Sequence, residues 1–239
     1  MTPFTRFVLV HTSHAGNVGA AARAMKVMGF TDLVLVRPRF ADVLTHADAV
    51  AMASGATDVL AGARIVDTLV DALDGVTHAC ATAMTPRDFG PPTFAPREHF
   101  ARQAPQGENV AFVFGPERTG LSNDDVYRCH ACLSIPTHPD YGSLNLAQAV
   151  QLIAYDWRQA LGGYGVVPAT KPPAYADAVA IQGLLDHWER TLVDIGFLDP
   201  KAPKKLLPRL NQAANRLKLT EEEVHILRGI ARAAKLHRT

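Results

Sequence analysis

Short apolar runs alternate with amphipathic stretches through the first 160 residues of the chain. Several runs have the length and the β-branched or aromatic content of buried strands. They cover residues 7–10, 33–36, 78–82 and 110–114, and a further run ends at Ile135 and Pro136. Helix-compatible stretches lie between these runs. The repeated order of strand and helix predicts an α/β fold, a parallel sheet with helices on both faces.

Residues that favour helix ends and turns mark several boundaries in this region. We expect Asn17 to cap the first helix, since its side chain can accept a free backbone N–H there. Gly29 is expected to end that helix in the left-handed conformation. Gly16 and Gly19 are expected to permit a sharp turn or the close approach of a ligand. Asp67 is expected to cap a short helix after the second strand-helix unit.

Three amphipathic helices are predicted near the C-terminus. The first shows apolar residues at spacings of three and four and ends at Gly196. The second covers 206–217, with Pro208 in its first turn or at a kink. Thr220 and Glu223 form a capping box that opens the third. These apolar stripes predict helix packing, and they are small for an independent domain.

The composition changes before these helices. Residues 162–174 are rich in Gly and Pro and lack periodicity, which is typical of a linker. A chain of 239 residues has room for one large domain with a small appendage. We therefore predict an α/β domain over 1–161, a linker over 162–174 and a small α-helical extension over 175–239.

Bulk composition predicts a cytoplasmic globular protein. Hydrophobic residues make up 48% of the chain and charged residues 20%, values ordinary for this class. No apolar run approaches the roughly 20 residues of a membrane span, so no membrane contact is expected. The first residues turn polar too soon for a signal peptide. Three cysteines, an odd number, suit a reducing compartment and no disulfide framework.

The net charge of +1 hides an uneven distribution. Residues 1–170 carry 12 Lys and Arg against 15 Asp and Glu, whereas residues 197–239 carry 10 against 4. A basic tail on a slightly acidic body predicts contact with a polyanion. A solvated helical surface would have the same composition, so charge alone leaves both interpretations open.

Several common site motifs are missing from the sequence. There is no GxGxxG after the first strand and no GxxxxGK[ST], which disfavours dinucleotide dehydrogenases and P-loop NTPases. There is no GxSxG elbow, which disfavours a serine hydrolase. Cys129 and Cys132 bracket His130, but no second ligand pair lies at zinc-site spacing. This segment is instead predicted to join the strand that ends near Ile135, and we expect no metal.

Three polar loops follow predicted strands: HTSHAGNVG at 11–19, FGPERTG at 114–120 and PDYGSLN at 139–145. Open α/β sheets bind ligands at the carboxyl ends of their strands, so we expect these loops to line one site. Their Gly and Ser backbone groups suit an adenine edge and a ribose. Glu117 has no partner carboxylate, which disfavours paired acid–base hydrolysis. Its carboxylate can equally accept N–H groups of its own loop.

Two arginines lie near these loops. Arg23 stands near the start of the first predicted helix, so its guanidinium is expected to reach back toward the strand edge. Arg87 lies in a loop rich in Pro and Gly and is a candidate anion ligand, although a lone loop arginine is also a common surface residue. Spacing and composition thus predict a nucleotide-like ligand and leave the reaction open.

The same loops resemble the motifs of the SPOUT superfamily of methyltransferases. NVGAAARAMKVMG resembles the first motif, FGPERTGL the second and IPTHPDYGSLNLAQAV the third, in the order found in the superfamily. The tail, with DIGFLDP, KKLLPRL and EEEVHILRGIAR, is similar to the helical extension of bacterial tRNA 2′-O-methyltransferases. The resemblance covers nearly the whole chain. It implies that the α/β domain ends in a deep trefoil knot.

This resemblance implies a reaction and its partners. The methyl donor would be S-adenosylmethionine, and the acceptor the ribose 2′-OH of a pyrimidine at position 32 of the tRNA anticodon loop. A homodimer without a metal is implied as well. Two alternatives stay open: an enzyme that methylates rRNA or another tRNA nucleotide, and an inactive knotted protein that binds RNA.

The resemblance also implies the residues of the site. Donor binding falls to Thr82, Ala83, Met84, Gly115, Ile135, Gly142, Ser143 and Leu144, and the polar acceptor positions are Asn17, Arg23, Glu117, Ser143 and Asn145. A guanidinium is a poor proton acceptor, because its pKa exceeds about 12. We therefore expect Arg23 to hold the adjacent phosphate and to stabilise developing negative charge. Pro116 and Pro208 depart from the family pattern.

Overall fold

A computed structural model describes residues 3–85 and 87–236. Residues 1–2 of the predicted α/β domain, Pro86 of the predicted Pro/Gly-rich loop and residues 237–239 of the predicted helical extension lie outside the described residues. The chain divides between Gly165 and Val166 into two compact units. Across the described ranges, no helix combines the length and the apolar character that a membrane crossing requires.

The strands described in the first unit form one parallel sheet. They are β1 (Thr5–Val10), β2 (Asp32–Val36), β3 (Arg64–Val66), β4 (His78–Thr82), β5 (Thr93–Phe94), β6 (Val110–Phe114) and β7 (Ala131–Leu133). Their spatial order is β3-β2-β1-β6-β4-β7-β5, with every neighbouring pair parallel. Because β4 lies between β6 and β7, the segments that leave these three strands meet at one edge of the sheet.

Helices cover both faces of this sheet. They are α1 (Ala15–Val27), α2 (Ala47–Ala53), α3 (Thr57–Gly62), α4 (Leu69–Ala72), α5 (Pro96–Gln103), α6 (Asn123–Tyr127) and α7 (Leu146–Ala160), and a 3-10 turn spans Ala104–Gln106. α1, α5 and α7 pack on one core, and α4 and α6 contribute to a second core on the opposite face. The predicted parallel sheet with helices on both faces is confirmed.

Aromatic side chains fill the larger core. The Trp157 ring of α7 meets the rings of Phe100 and Phe112 edge-on, at centroid distances of 5.3 and 5.6 Å. Phe7 of β1 lies 5.5 Å from Phe112 in the same core. The indole Nε1 of Trp157 donates to Thr5 Oγ1 at 2.9 Å, so its polar atom is satisfied. Each such buried ring stabilises the fold by roughly 1.5–3 kcal/mol, and together they fix α5 and α7 against the sheet.

The first helix differs from its prediction. α1 begins at Ala15, and its N-cap is His14, which makes no side-chain capping bond. The prediction that Asn17 caps this helix is therefore wrong, because that side chain points to a distant carboxylate described below. Arg23 is the ninth residue of α1 and is exposed, so its placement near the helix start is also wrong. Gly29 follows the C-cap with φ of +75°, as predicted.

Other local predictions fail for reasons of packing. Gly19 lies within α1, where an added Cβ would stand 1.9 Å from the carbonyl oxygen of Ala49 in α2. The glycine thus permits close helix packing and forms neither a turn nor a ligand contact. Thr68, not Asp67, caps α4 by accepting from the N–H of Asp71 at 3.1 Å. The strand predicted to end near Ile135 is β7, which ends two residues earlier and leaves Cys129 outside it.

The second unit holds α8 (Ala178–Asp194), α9 (Leu206–Leu217) and α10 (Glu221–Leu236), which confirms the predicted helical C-terminal region. Its small core includes Leu184, Ala214 and Val224. Pro208 occupies the first turn of α9. The capping box of α10 is present, with Thr220 N–H donating to the Glu223 carboxylate at 2.7 Å and Glu223 N–H donating to Thr220 Oγ1 at 3.2 Å.

Two histidines form a hydrogen-bonded pair at the amino-terminal edge of the sheet. Nε2 of His78 in β4 lies 2.9 Å from Nε2 of His99 in α5, so one ring donates and the other accepts. Burial lowers the pKa of His78, and it lowers the pKa of His99 to about 4, with repulsion from His78 adding to the effect. Both rings therefore stay neutral near pH 7, and protonating them breaks the shared hydrogen bond.

This pair should make the first unit sensitive to acid. Unfolded His99 binds a proton near its ordinary pKa of 6.5, whereas the folded state resists it down to about 4. The free energy of unfolding should therefore fall between these pH values, by about 1–2 kcal/mol after allowance for solvent screening. Urea unfolding followed by Trp157 fluorescence in a Trp188→Phe background measures this loss.

The variant His99→Gln should show a smaller loss of stability between about pH 7 and about pH 4.5 than its parent. His225→Gln, a change at an exposed position on α10, serves as the control and should keep the parental pH dependence. An equal loss in His99→Gln and in its parent would contradict the assignment.

Candidate functional site at the carboxyl edge of the sheet

A cavity of about 320 Å³ opens where β4, β6 and β7 end. This volume falls within the range of small-molecule sites. Its wall comes from the segments that follow the three strands. All eight residues that the motifs assign to donor binding line it: Thr82, Ala83, Met84, Gly115, Ile135, Gly142, Ser143 and Leu144. The parallel topology thus brings three segments that are far apart in sequence to one wall, whereas the first polar loop, 11–19, does not line the cavity.

Two glycines allow other parts of this wall to pack closely against the backbone. A Cβ on Gly115 would stand 2.2 Å from the backbone N of Leu121, so the loop after β6 closes on itself only with glycine there. A Cβ on Gly142 would stand 2.7 Å from Thr137 Oγ1 and 3.1 Å from Met84 Cε. Thr137 and Met84, which also line the cavity, therefore approach Gly142 too closely for a side chain at this position.

A polar network borders the cavity. The Glu117 carboxylate accepts from Ser13 at both the backbone N, 3.0 Å, and Oγ, 2.6 Å. Its other oxygen accepts from Nδ2 of Asn17 at 2.7 Å. Oδ1 of Asn17 in turn accepts from Nδ2 of Asn145 at 3.0 Å. Asn145 is also the N-cap of α7, where its Oδ1 accepts from the N–H of Ala147 at 2.9 Å.

Glu117 is held as a carboxylate. Burial alone would raise its pKa, but the hydrogen bonds from Ser13 and Asn17 outweigh burial and lower the pKa below the ordinary value. Its own backbone N–H contributes to this, as the sequence suggested, but the stronger donors come from the loop after β1. Since both oxygens are engaged, Glu117 orients its neighbours and is a poor proton acceptor.

The remaining polar positions stand apart from this network. Ser143 is exposed and lines the cavity. Arg23 lies six residues beyond Asn17 on α1, which is about 9 Å along the helix axis and about 120° around it. The exposed guanidinium of Arg23 therefore faces a different direction from the amide of Asn17. Within one chain, Asn17, Glu117 and Asn145 thus lie together, and Arg23 lies apart from them.

Sequence reasoning missed Ser13 and undervalued Arg87. Ser13 donates twice to Glu117, a residue 104 positions away. The available signal was its place in the polar loop at a strand end, four residues before Asn17. Arg87 lines the cavity, although its loop position alone gave no reason to prefer a ligand over solvent.

A group of metal-ligand types lies at the opposite edge of the sheet. Ligand atoms of His78, Cys80 and His99 lie within 4.8 Å of one another. The facing Nε2 atoms of the two histidines, however, stand at hydrogen-bond distance, and burial raises the pKa of the Cys80 thiol far above its usual value. We therefore interpret the group as a hydrogen-bonded pair beside a neutral thiol. Along β4, His78 lies about 13 Å from Thr82 of the cavity wall.

Comparison with known proteins identifies the family. The model of the SpoU rRNA Methylase family matches residues 5–155, and that of the tRNA methyltransferase TrmJ, C-terminal domain, matches residues 179–239. The TrmJ methyltransferase of Pseudomonas aeruginosa, named for cytidine, uridine and adenosine, is 44% identical over 94% of this chain and 91% of its own. The Klebsiella pneumoniae TrmJ, named for cytidine and uridine, is 41% identical over 94% and 93%.

Solved structures agree with this assignment. The crystal structure of TrmJ from Z. mobilis has a TM-score of 0.80 and 31% identity, over 98% of this chain and 100% of that one. A probable methylase family protein from Haemophilus influenzae has a TM-score of 0.62 and 34% identity, over 99% and 98%. The resemblance carried by the three motifs and the tail is thereby confirmed. The chain belongs to the SpoU methylase family and, within it, to the TrmJ tRNA methyltransferases.

Proposed function

We propose that this protein transfers a methyl group from S-adenosylmethionine to the ribose 2′-OH of C or U at position 32 of the tRNA anticodon loop. We propose further that it acts in the cytoplasm as a homodimer. One observation carries the proposal. A cavity of suitable size and a network of polar acceptor residues share one sheet edge, and Glu117 belongs to both. The names of the TrmJ relatives support tRNA, the 2′-oxygen and the two pyrimidines.

The residues of the cavity fit the donor. When bound, S-adenosylmethionine supplies an electrophilic methyl group on a sulfonium. The apolar side chains of Leu133, Ile135 and Leu144 line the cavity and suit a flat base. The chain itself contributes position and the exclusion of water, which suffice for displacement at a methyl carbon when the reacting atoms are aligned.

The acceptor residues prepare the ribose side. Glu117 holds Asn17, and Asn17 holds Asn145, so these side chains are oriented before the substrate arrives. Preorganised dipoles of this kind stabilise charge that develops on an attacking oxygen. Arg23 faces another side of α1. We propose that it grips the phosphate beside the acceptor nucleotide and strengthens that stabilisation.

Three regions divide this work. We propose a methyltransferase domain over 1–161 that ends in a trefoil knot, a linker over 162–174, and an RNA-binding extension over 175–239. The stretch 201–218 supports the last assignment, since it holds six Lys and Arg and no Asp or Glu. All six of these side chains are exposed. Exposed cations on α9 and on the segments that flank it suit a phosphate backbone.

A second candidate differs in the target nucleotide. A structure titled for 2-OH methylation of C/U34 on tRNA has a TM-score of 0.54 and 25% identity, over 67% of this chain and 92% of that one. The Pseudomonas aeruginosa relative is named for adenosine as well. Position 34 and an A at position 32 are therefore the alternatives that the first experiment must separate.

The reaction is tested by methyl transfer to unmodified tRNA. Purified protein is incubated with labelled S-adenosylmethionine, and the modified nucleotide is mapped by nuclease digestion and mass spectrometry. We expect a 2′-O-methylated C or U at position 32. Methylation at position 34 would support the second candidate. Binding of the donor without transfer to any tRNA would favour an inactive RNA-binding protein.

The role of Arg23 is tested by Arg23→Ala. Loss of the phosphate grip should lower kcat/KM for tRNA by about 100-fold to 1,000-fold, the range for one removed charge-stabilising donor. Affinity for S-adenosylhomocysteine should stay within about twofold, because Arg23 lies outside the residues that line the cavity. Calorimetry and single-turnover kinetics measure the two quantities, and weakened donor binding would show that this role is wrong.

The basic stretch is tested by the triple variant Lys204→Gln, Lys205→Gln and Arg209→Gln. If each cation neutralises one phosphate, the slope of log affinity against log salt should become shallower by about 2–3. The matched control removes three charges from the first unit, at Lys26, Arg64 and Arg97. Each of these is paired with an aspartate and should affect the slope little. Equal slopes in the parent and the Lys204/Lys205/Arg209 variant would show that these three side chains do not contact RNA phosphates.

A further inference from the structure

Arg87 places a poorly satisfied cation in the wall of the cavity. Its side chain lines the cavity and is half-buried. Its Nε is fully buried and has no hydrogen-bond partner among the described residues. The one hydrogen bond described for the guanidinium runs from an NH group to the carbonyl of Thr85, two residues away, at a long 3.4 Å. A buried N–H of a charged group is costly to leave unmade, so this arrangement calls for an anion.

No acid within the described residues forms an ion pair with Arg87. The ion pairs found there involve other cations, and Glu117 is the acidic residue that lines the same cavity. Both oxygens of Glu117 are already engaged by Ser13 and Asn17, at 2.6–3.0 Å. The guanidinium fork, which matches a carboxylate with two parallel bonds, is therefore available to a ligand.

Depth distinguishes Arg87 from the other arginine in the wall. Arg118 also lines the cavity, but its side chain is exposed. Arg87 is the less exposed of these two lining arginines, so its guanidinium is placed to meet a small molecule in the cavity, whereas a polymer backbone at the rim meets the exposed Arg118 first. This difference favours a small ligand, and not a polymer backbone, as the source of an anion at Arg87.

We propose that Arg87 binds the α-carboxylate of the amino-acid part of the methyl donor. This inference rests on the proposed function, since it takes S-adenosylmethionine as the occupant of the cavity. The lining then divides the ligand by chemistry. Apolar side chains such as Ile135 and Leu144 receive the base, and the half-buried cation fixes the opposite, charged end. With both ends held, the sulfonium between them has a defined position.

The proposal is tested with two donors that differ in one group. Decarboxylated S-adenosylmethionine keeps the sulfonium and the amine and lacks the carboxylate. By calorimetry the parent should bind S-adenosylmethionine about tenfold to 100-fold more tightly than the decarboxylated compound, the range for a charge-assisted hydrogen bond. In Arg87→Ala this preference should fall to about threefold or less. Arg87→Lys, which keeps the charge and loses the fork, should show an intermediate preference.

Arg102→Ala is the matched control, because it removes an exposed arginine of α5 that lies outside the cavity lining. It should keep the parental preference. Thermal unfolding of each variant verifies that the fold is retained. If Arg87→Ala weakens both compounds equally, the residue supports the loop and the proposal is wrong. If both affinities are unchanged while tRNA affinity falls, the anion is an RNA phosphate, which also overturns it.

These outcomes are separable from a failure of the proposed function. If the parent protein binds neither compound and methylates no tRNA, S-adenosylmethionine is not its donor and the proposed function is wrong. A parent that binds S-adenosylmethionine and methylates tRNA, with no loss of preference in Arg87→Ala, would reject only the carboxylate contact.

Discussion

The carboxylate of Glu117 is the contact on which the rest of the site depends. It joins the loop after β6 to Ser13, 104 residues earlier, and to Asn17 of α1, 100 residues earlier. Asn17 passes the connection to Asn145, which caps α7. Three segments that leave the sheet are thereby fixed to one point. A half-buried polar network stabilises the fold only when each polar group in it has a hydrogen-bond partner. Here the neutral donors of Ser13 and Asn17 bind the charged carboxylate.

Features decided within one turn of chain could be predicted from the sequence. Gly29 ends α1 with a positive φ, and Thr220 with Glu223 opens α10, because both depend only on adjacent backbone groups. Where a distant partner competes, the local rule fails. Asn17 is a favoured capping residue, but the carboxylate of Glu117 binds its side chain. Gly19 is a favoured turn residue, but the backbone of α2 approaches it too closely for any side chain.

The candidate site shows the same division. Parallel strands bring their carboxyl ends to one edge, so residues as distant as Thr82 and Ser143 line one cavity, and the family resemblance was sufficient to group them. Orientation was harder to predict. Because α1 starts at Ala15, two residues before Asn17, the side chain of Arg23 faces away from that of Asn17. The sequence of this 13-residue helix is rich in alanine, so its hydrophobic periodicity does not reveal where the helix starts. The unmet hydrogen bond of Arg87 depends on its three-dimensional surroundings, which single-residue patterns do not encode.

The charges of the site are arranged so that they do not cancel. Glu117 stands in the same wall as Arg87 and Arg118, and a salt bridge between them would be the simplest way to satisfy all three. Instead the hydroxyl and amide donors of Ser13 and Asn17 satisfy the carboxylate without using a cation. These neutral donors keep Glu117 ionised. Among the described residues, no acidic side chain forms an ion pair with Arg87. The cavity therefore keeps a half-buried positive charge for a ligand, because its negative charge is satisfied by dipoles.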